Sequence, residues 1–197
     1  MNKKMLMMLL LLSACDNSPA QPDLSTAPLY GAAIGGDFAL IDQNGKKRSY
    51  SEFDGKYRIV YFGYTNCPDI CTPDVQNLMA GLKAFEKIEP ALAAKIQPIF
   101  ITVDPHRDTP AVLKQFTTAF HPRLIGLTGS EAEIAAAAKK FAVVYGRENG
   151  STPETYLMSH NQTPYLMATD GKPLALLPTA TDGPPALVTA ELTKWVR

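Results

Sequence analysis

The feature that most restricts what this chain can fold into is a junction. Tyr57-Arg58-Ile59-Val60-Tyr61-Phe62-Gly63 is a nearly continuous run of β-branched and aromatic residues, the pattern of a strand buried on both faces. It leads straight into Tyr64-Thr65-Asn66-Cys67-Pro68-Asp69-Ile70-Cys71, with two cysteines four positions apart. From 73 to 88, Val75, Leu78, Met79, Leu82, Phe85 and Ile88 recur at steps of three and four, the stripe of an amphipathic helix. The order therefore puts a dithiol at the start of a helix. In a first helical turn, side chains four apart are neighbours on one face, so the two sulfurs can chelate one ion or close a disulfide. Unpaired amides and the dipole at a helix start favour negative charge, which predicts lowered thiol pKa values and thiolates fit to bind metal or attack disulfides.

The flanking sequence extends this unit. Asn44-Gly45 between 38–42 and 48–50 marks an opening hairpin. Pro98-Ile99-Phe100-Ile101-Thr102-Val103-Asp104 reads as the next buried strand, and Thr109-Pro110 starts a helix to about Phe120, with Thr as cap and Pro at the first position. Ser130-Glu131-Ala132-Glu133 is a capping box before a helix expected over 134–145. A strand over 163–169, a turn at Asp170-Gly171, a partner strand over 174–177 and a last helix from about Pro184, carrying Val188, Leu192 and Trp195 on one face, complete the chain. This is the order of an α/β, thioredoxin-like fold: a central mixed sheet flanked by helices, with an N-terminal β-hairpin. The 197 residues suit one such domain. With 46 % apolar and 19 % charged residues the chain is globular in composition. Equal numbers of basic and acidic side chains, 19 each, leave no excess to neutralise a phosphate backbone, which argues against nucleic acid as a partner.

The first residues read differently from the rest. Asn2, Lys3 and Lys4 precede an apolar run from Met5 to Leu12, a secretory pattern about half as long as the roughly 20 residues of a spanning helix. The run ends in Leu12-Ser13-Ala14-Cys15, which resembles a bacterial lipobox; a plain signal peptide followed by a chance cysteine is the alternative. On this reading 1–14 is a lipoprotein signal peptide and 15–29 carries the lipidated Cys15 and a flexible tether rich in Pro, Ser, Ala and Asp. The folded domain then spans 30–197. Asp16 resembles the signal that keeps lipoproteins at the inner membrane, which implies a bacterial inner-membrane lipoprotein facing the periplasm, anchored in the bilayer through its N-terminus.

If Cys15 carries lipid, Cys67 and Cys71 are the two thiols left. Outside the cytoplasm such a pair is a structural disulfide, a redox dithiol or a soft-metal site. The loop it closes is tiny, so cross-linking it removes little chain entropy, which disfavours a purely structural bond.

Three segments in this order resemble the Sco (SenC) family of copper-binding assembly proteins for cytochrome c oxidase. They are Phe62-Gly63-Tyr64-Thr65-Asn66-Cys67-Pro68-Asp69-Ile70-Cys71, then Val103-Asp104-Pro105-His106-Arg107-Asp108-Thr109-Pro110, then Tyr156-Leu157-Met158-Ser159-His160 followed by Tyr165-Leu166. Leu124-Ile125-Gly126-Leu127-Thr128-Gly129 also matches, and the likeness covers about 34–197. It implies one copper ion, Cu(I) or Cu(II), held by Cys67, Cys71 and His160. It also implies a copper-bearing oxidase subunit as partner, with other periplasmic copper carriers or thioredoxin-like reductants as further partners. Ser159 stands where the family often has an Asp before the ligand His. The function implied is a metallochaperone that delivers copper to the binuclear centre of the oxidase. The alternative is a thiol-disulfide oxidoreductase that reduces the copper-site cysteines of that subunit, with Cys67 and Cys71 as its redox dithiol.

Other residues carry plainer readings. His106 lies beside Arg107 and Asp108 in a polar turn and reads as surface; His121, before Pro122 at a helix end, reads as a cationic cap. Met79, Met158 and Met167 read as packing residues rather than thioether ligands. Asp104, Arg107 and Asp108 form a charged turn after a buried strand, read equally as a loop-stabilising ion pair or as a docking site. Thr163-Pro164 resembles the place where thioredoxin-like folds carry a cis-proline, and is expected to be cis. A peroxidase reading lacks the P-x-x-x-T-x-x-C arrangement around Cys67. A closed zinc site lacks a fourth ligand.

Overall fold

The computed structural model describes residues 23–67, 71–148 and 156–197; the expected signal peptide and Cys15 lie outside them. Ahead of Tyr30 the chain already packs: Ala27 is buried, and the Leu29 amide donates to the Leu174 carbonyl at 3.0 Å. The Asn-Gly turn produces the hairpin of β1 (Ala39–Asp42) and β2 (Lys47–Ser49). Asp42 secures it by accepting from the amides of Asn44 and Lys46 and from Arg48.

The apolar run is β3 (Tyr57–Gly63), every residue of it buried. It pairs in parallel with β4 (Ile96–Thr102), equally buried, and antiparallel with β8 (Tyr165–Met167). Between β3 and β4 lie α1 (Cys71–Ile88) and the short α2 (Pro90–Ala93). After β4 come α3 (Pro110–Phe120), β5 (Ile125–Thr128) and α4 (Glu131–Lys140). The chain closes through β6 (Tyr145–Arg147), β7 (Met158–His160), β8, β9 (Pro173–Leu176) and α5 (Pro185–Trp195). The main sheet has the order β2-β1-β5-β4-β3-β8-β9, while β6 and β7 pair as a separate two-stranded sheet. β3 and β4 therefore sit at the centre, and their C-terminal ends open together at one edge, where open α/β sheets bind ligands.

Side chains alternate across β3. Tyr61 points to α1, where its hydroxyl meets Asp74, while Phe62 points to the other face and packs on Phe141. α1 buries its predicted stripe and lies so close to α5 that a Cβ on Gly81 would come within 2.5 Å of the Val188 Cβ. Val188, Leu192 and Trp195 are buried as the pattern of α5 requires. Thr109 caps α3 by accepting from the Val112 amide, and Ser130 with Glu133 forms the capping box of α4.

Two expectations are corrected. The helix predicted over 134–145 stops at Lys140: Phe141 turns back as its cap, Ala142 has a φ of 52°, and 145–147 becomes β6. Pairing with β7 outweighs local helix propensity there. Thr163-Pro164 is trans, as is every peptide bond among the described residues; the cis-proline expectation came from fold analogy.

Candidate metal centre

The edge where β3 and β4 end is occupied by Cys67, Cys71 and His160. One ligand atom from each lies within 4.8 Å of the others, and they form the group fit to hold a metal among the described residues. Cys67 follows β3 in a turn, its amide donating to the Tyr64 carbonyl. Cys71 opens α1, and its own amide donates to the Cys67 sulfur at 3.3 Å. An otherwise unpaired helix-start amide thus solvates one of the two sulfurs, as the spacing predicts. The two cysteines are not joined in a disulfide; Cys67 is half-buried and Cys71 is buried.

The expected lowering of the thiol pKa does not hold for Cys71. Burial pushes its thiol well up, with the neighbouring Cys67 and Asp74 adding to the rise. Desolvation of the charged form exceeds what the helix start supplies.

His160 arrives from the end of β7, 89 positions along the chain, and its Nε2 lies 3.1 Å from Cys71 Sγ. Its Nδ1 lies 3.2 Å from the Asn161 carbonyl, which can only accept, so the proton sits on Nδ1 and the Nε2 lone pair faces the sulfur. The ring is held edge-on between Tyr61 and Tyr64, at centroid distances of 6.3 and 6.1 Å. Burial lowers its pKa, keeping it neutral and able to ligate. β7 is steadied by its pairing with β6 and by Asn161, whose side-chain oxygen accepts from the Val144 amide at 2.8 Å.

The charged turn after β4 ties both limbs together. Asp108, fully buried, accepts from the Thr65 amide at 3.0 Å, the Thr65 hydroxyl at 2.6 Å and the Thr102 hydroxyl at 2.6 Å. It fixes the cysteine turn to the end of β4. Arg107 pairs with Asp104, donates to the Tyr156 carbonyl at 2.8 Å and stacks 3.7 Å from the Tyr156 ring. Asp104 in turn accepts from the Tyr156 hydroxyl at 2.5 Å, which anchors the approach to β7. The loop-stabilising ion pair expected of this turn is formed between Arg107 and Asp104.

The remaining candidates are not part of this group of ligand atoms. His106 is exposed, as expected, and bonds Glu131 at 2.9 Å. His121 is corrected: it ends α3, but its imidazole is 2 % exposed and neutral rather than a cationic cap. Its Nδ1 accepts from the Arg123 amide and its Nε2 lies 3.2 Å from Glu86. Met79 and Met167 are buried in the core and Met158 packs against it. Tyr61, Tyr64 and Asp74 surround the site without having been singled out in the sequence. A charged residue inside the buried stripe of α1, three places after Cys71, is the signal that marks Asp74.

Fold and site define a thioredoxin-like protein with a two-thiol, one-imidazole centre. The SCO1/SenC family model matches residues 26–197, and the chain belongs to that family. It is 40 % identical over 158 residues to a SCO2-like protein of Rickettsia felis, covering 79 % of this chain and 75 % of that one. It spans only 54 % of the mitochondrial SCO2 homologue of Bos taurus. Among solved structures it is similar to Arabidopsis thaliana ScoI with copper bound, at a TM-score of 0.75 and 34 % identity, covering 83 % of this chain and 98 % of that one. It is also similar to BsSco, described as having a disulfide switch and as a member of the Sco family of cytochrome c oxidase assembly proteins, at a TM-score of 0.63 and 27 % identity, covering 83 % and 94 %.

Proposed function

We propose that this protein is a metallochaperone that binds one copper ion through Cys67, Cys71 and His160 and delivers it to the binuclear copper centre of a cytochrome c oxidase subunit. The observation that carries this is the convergence of two sulfurs and one imidazole nitrogen, from segments 89 positions apart, within 4.8 Å. First-row metals bond sulfur at about 2.3 Å and nitrogen at about 2.0 Å, so donors around one ion lie roughly 3.5–4 Å apart. The group meets that demand with sub-ångström adjustments. Soft thiolates select Cu(I), and the added imidazole also accommodates Cu(II). With three ligands the ion keeps an open position, through which cysteines of the partner subunit take it by ligand exchange. The copper-bound Arabidopsis relative supports the choice of metal, and the oxidase-assembly description of BsSco supports the partner.

In this reading a lipid on Cys15 holds the domain at the periplasmic face of the inner membrane. Replacing Cys15 with Ser moves the protein to the soluble periplasmic fraction; retention in the membrane fraction would refute the anchor.

A second reading, a thiol-disulfide oxidoreductase acting on the same subunit, is favoured by the asymmetry of the pair. Cys67 is the less buried of the two and receives an amide hydrogen bond, as suits an attacking sulfur, while Cys71 is buried as suits the resolving thiol. Copper stoichiometry and affinity of the reduced protein, measured beside His160→Ala, separate the two. Delivery predicts one copper per wild-type chain and weak binding by a variant whose dithiol stays redox-active. A reduced wild-type protein that binds no copper ends the delivery reading.

A further inference from the structure

One buried group beside the centre has no part in the function just proposed: the carboxylate of Asp74. It lies three residues after Cys71 on α1 and is 1 % exposed. Removing a carboxylate from water is costly unless its charge is compensated. Both of its partners are neutral. One oxygen accepts from the Tyr61 hydroxyl at 2.8 Å and the other from the Ala180 amide at 2.8 Å. The ion pairs of the described residues all lie elsewhere.

The same Tyr61 packs edge-on against His160. Its ring and the Cys71 sulfur also crowd one side of Gly63, where a Cβ would lie 3.0 Å from Tyr61 Cε1 and 3.1 Å from Cys71 Sγ. Asp74, Tyr61, Cys71 and His160 thus form one contiguous cluster, in which the first three are buried and His160 is half-buried.

We infer that Asp74 is an electrostatic tuning residue: its carboxylate, three residues after Cys71 on α1 and joined through Tyr61 to the His160 ring, biases the bound ion toward the cupric state. The inference rests on the copper reading above. Two thiolates and a neutral imidazole give a centre of zero net charge with Cu(II) and of −1 with Cu(I). Reduction takes up one electron and no proton, so a neighbouring carboxylate in a low-dielectric surrounding opposes it. The dithiol/disulfide couple takes up two electrons with two protons and stays neutral in both forms while the thiols are protonated. It therefore escapes the bias.

Asp74→Asn is the direct test, because it loses the charge while the amide oxygen accepts from the Ala180 amide and the NH2 donates to the Tyr61 oxygen, reversing that one hydrogen bond. Loaded with one copper, the variant is expected to raise the Cu(II)/Cu(I) midpoint potential by at least a tenfold change in relative affinity, which is 59 mV for one electron. Asp74→Glu is expected to stay near wild type, and the dithiol/disulfide potential to move little in either variant. A purely structural role moves stability and leaves the copper potential in place, and that result overturns the inference while copper binding stands. Wild-type protein that takes up no copper refutes the underlying reading instead. Should Asp74→Asn fail to fold, redox-induced infrared difference spectra of wild-type copper protein, labelled with 13C at its aspartates, decide. A labelled carboxylate band that shifts on electron uptake supports the inference, and a spectrum without one overturns it.

Discussion

Thr65 and Asp108, 43 positions apart, are joined twice: the Thr65 amide donates to one carboxylate oxygen at 3.0 Å and its hydroxyl to the other at 2.6 Å. With the Thr102 hydroxyl as a third donor, Asp108 is the point where the cysteine turn is fastened to β4. Asp108→Ala leaves three donors around a void. Unsatisfied buried groups cost about 1–3 kcal/mol each, so a loss of at least roughly 2 kcal/mol is expected in denaturant unfolding. Metal affinity falls with it, since Cys67 follows Thr65 by two residues. An Asp108→Ala protein with wild-type unfolding midpoint and wild-type copper affinity would show that the turn holds its shape unaided.

Arg107 fastens the other limb, and its action depends on shape as well as charge. Its fork reaches Asp104 and the Tyr156 carbonyl at once while its plane lies on the Tyr156 ring. Arg107→Lys keeps the charge but loses the second bond and the stacking. Residues that orient a ligand typically change metal affinity by about 10–100-fold. A drop of about tenfold in copper affinity is expected, measured by competition with a chelator, with near-wild-type circular dichroism. Equal affinities for Lys and Arg would mean that the approach to β7 is placed by β6 alone.

Gly63 closes β3 against the sulfur of Cys71. A methyl group there would sit 3.0 Å from Tyr61, 3.1 Å from Cys71 Sγ and 3.1 Å from Phe100, closer than ordinary contact allows. Overpacking of this kind costs about 1–3 kcal/mol. Gly63→Ala is therefore expected to unfold at lower denaturant and to bind copper more weakly, because the softest neighbour to displace is the thiol. Gly146→Ala is the control, with nothing within 4 Å of its added carbon.

The parts of this molecule legible in the sequence are those set by local physics. The Asn-Gly turn, the Thr109-Pro110 helix start and the capping box at Ser130 each satisfy backbone groups within a few residues, and each is found in place. The cysteine pair is legible at the junction of strand and helix, although Cys67 lies in the turn after β3 and α1 opens only at Cys71. His160 is different. No local pattern joins it to Cys71, and only the family likeness linked the three. Tyr145, read as the end of the helix over 134–145, instead opens β6, and its place there depends on partners eleven to fifteen residues later. Asp74 and Tyr61 were likewise invisible as a pair, because their bond crosses from sheet to helix.

The pH dependence of stability isolates a last residue. Burial lowers the His121 pKa below its ordinary 6.5, against the opposing pull of Glu86, while Arg123 and Lys83 add to the lowering. Between the folded and unfolded values the unfolded chain binds the extra proton, so stability is complete above about pH 6.5 and declines as pH falls through that window. Each unit of separation contributes about 1.4 kcal/mol. His160, lowered by its own burial, acts in the same direction and window, so the wild-type slope contains both groups. Glu86 acts lower, because its lowered pKa places its loss of stability below the usual carboxylate range. His121→Gln can accept from the Arg123 amide and donate to Glu86 without titrating. Its unfolding free energy is expected to fall less than that of wild type between pH 7 and pH 5.5. Adding His160→Ala to it should flatten the curve further. If His121→Gln follows the wild-type curve throughout, the imidazole at the end of α3 is protonated as readily in the fold as out of it, and its burial carries no cost.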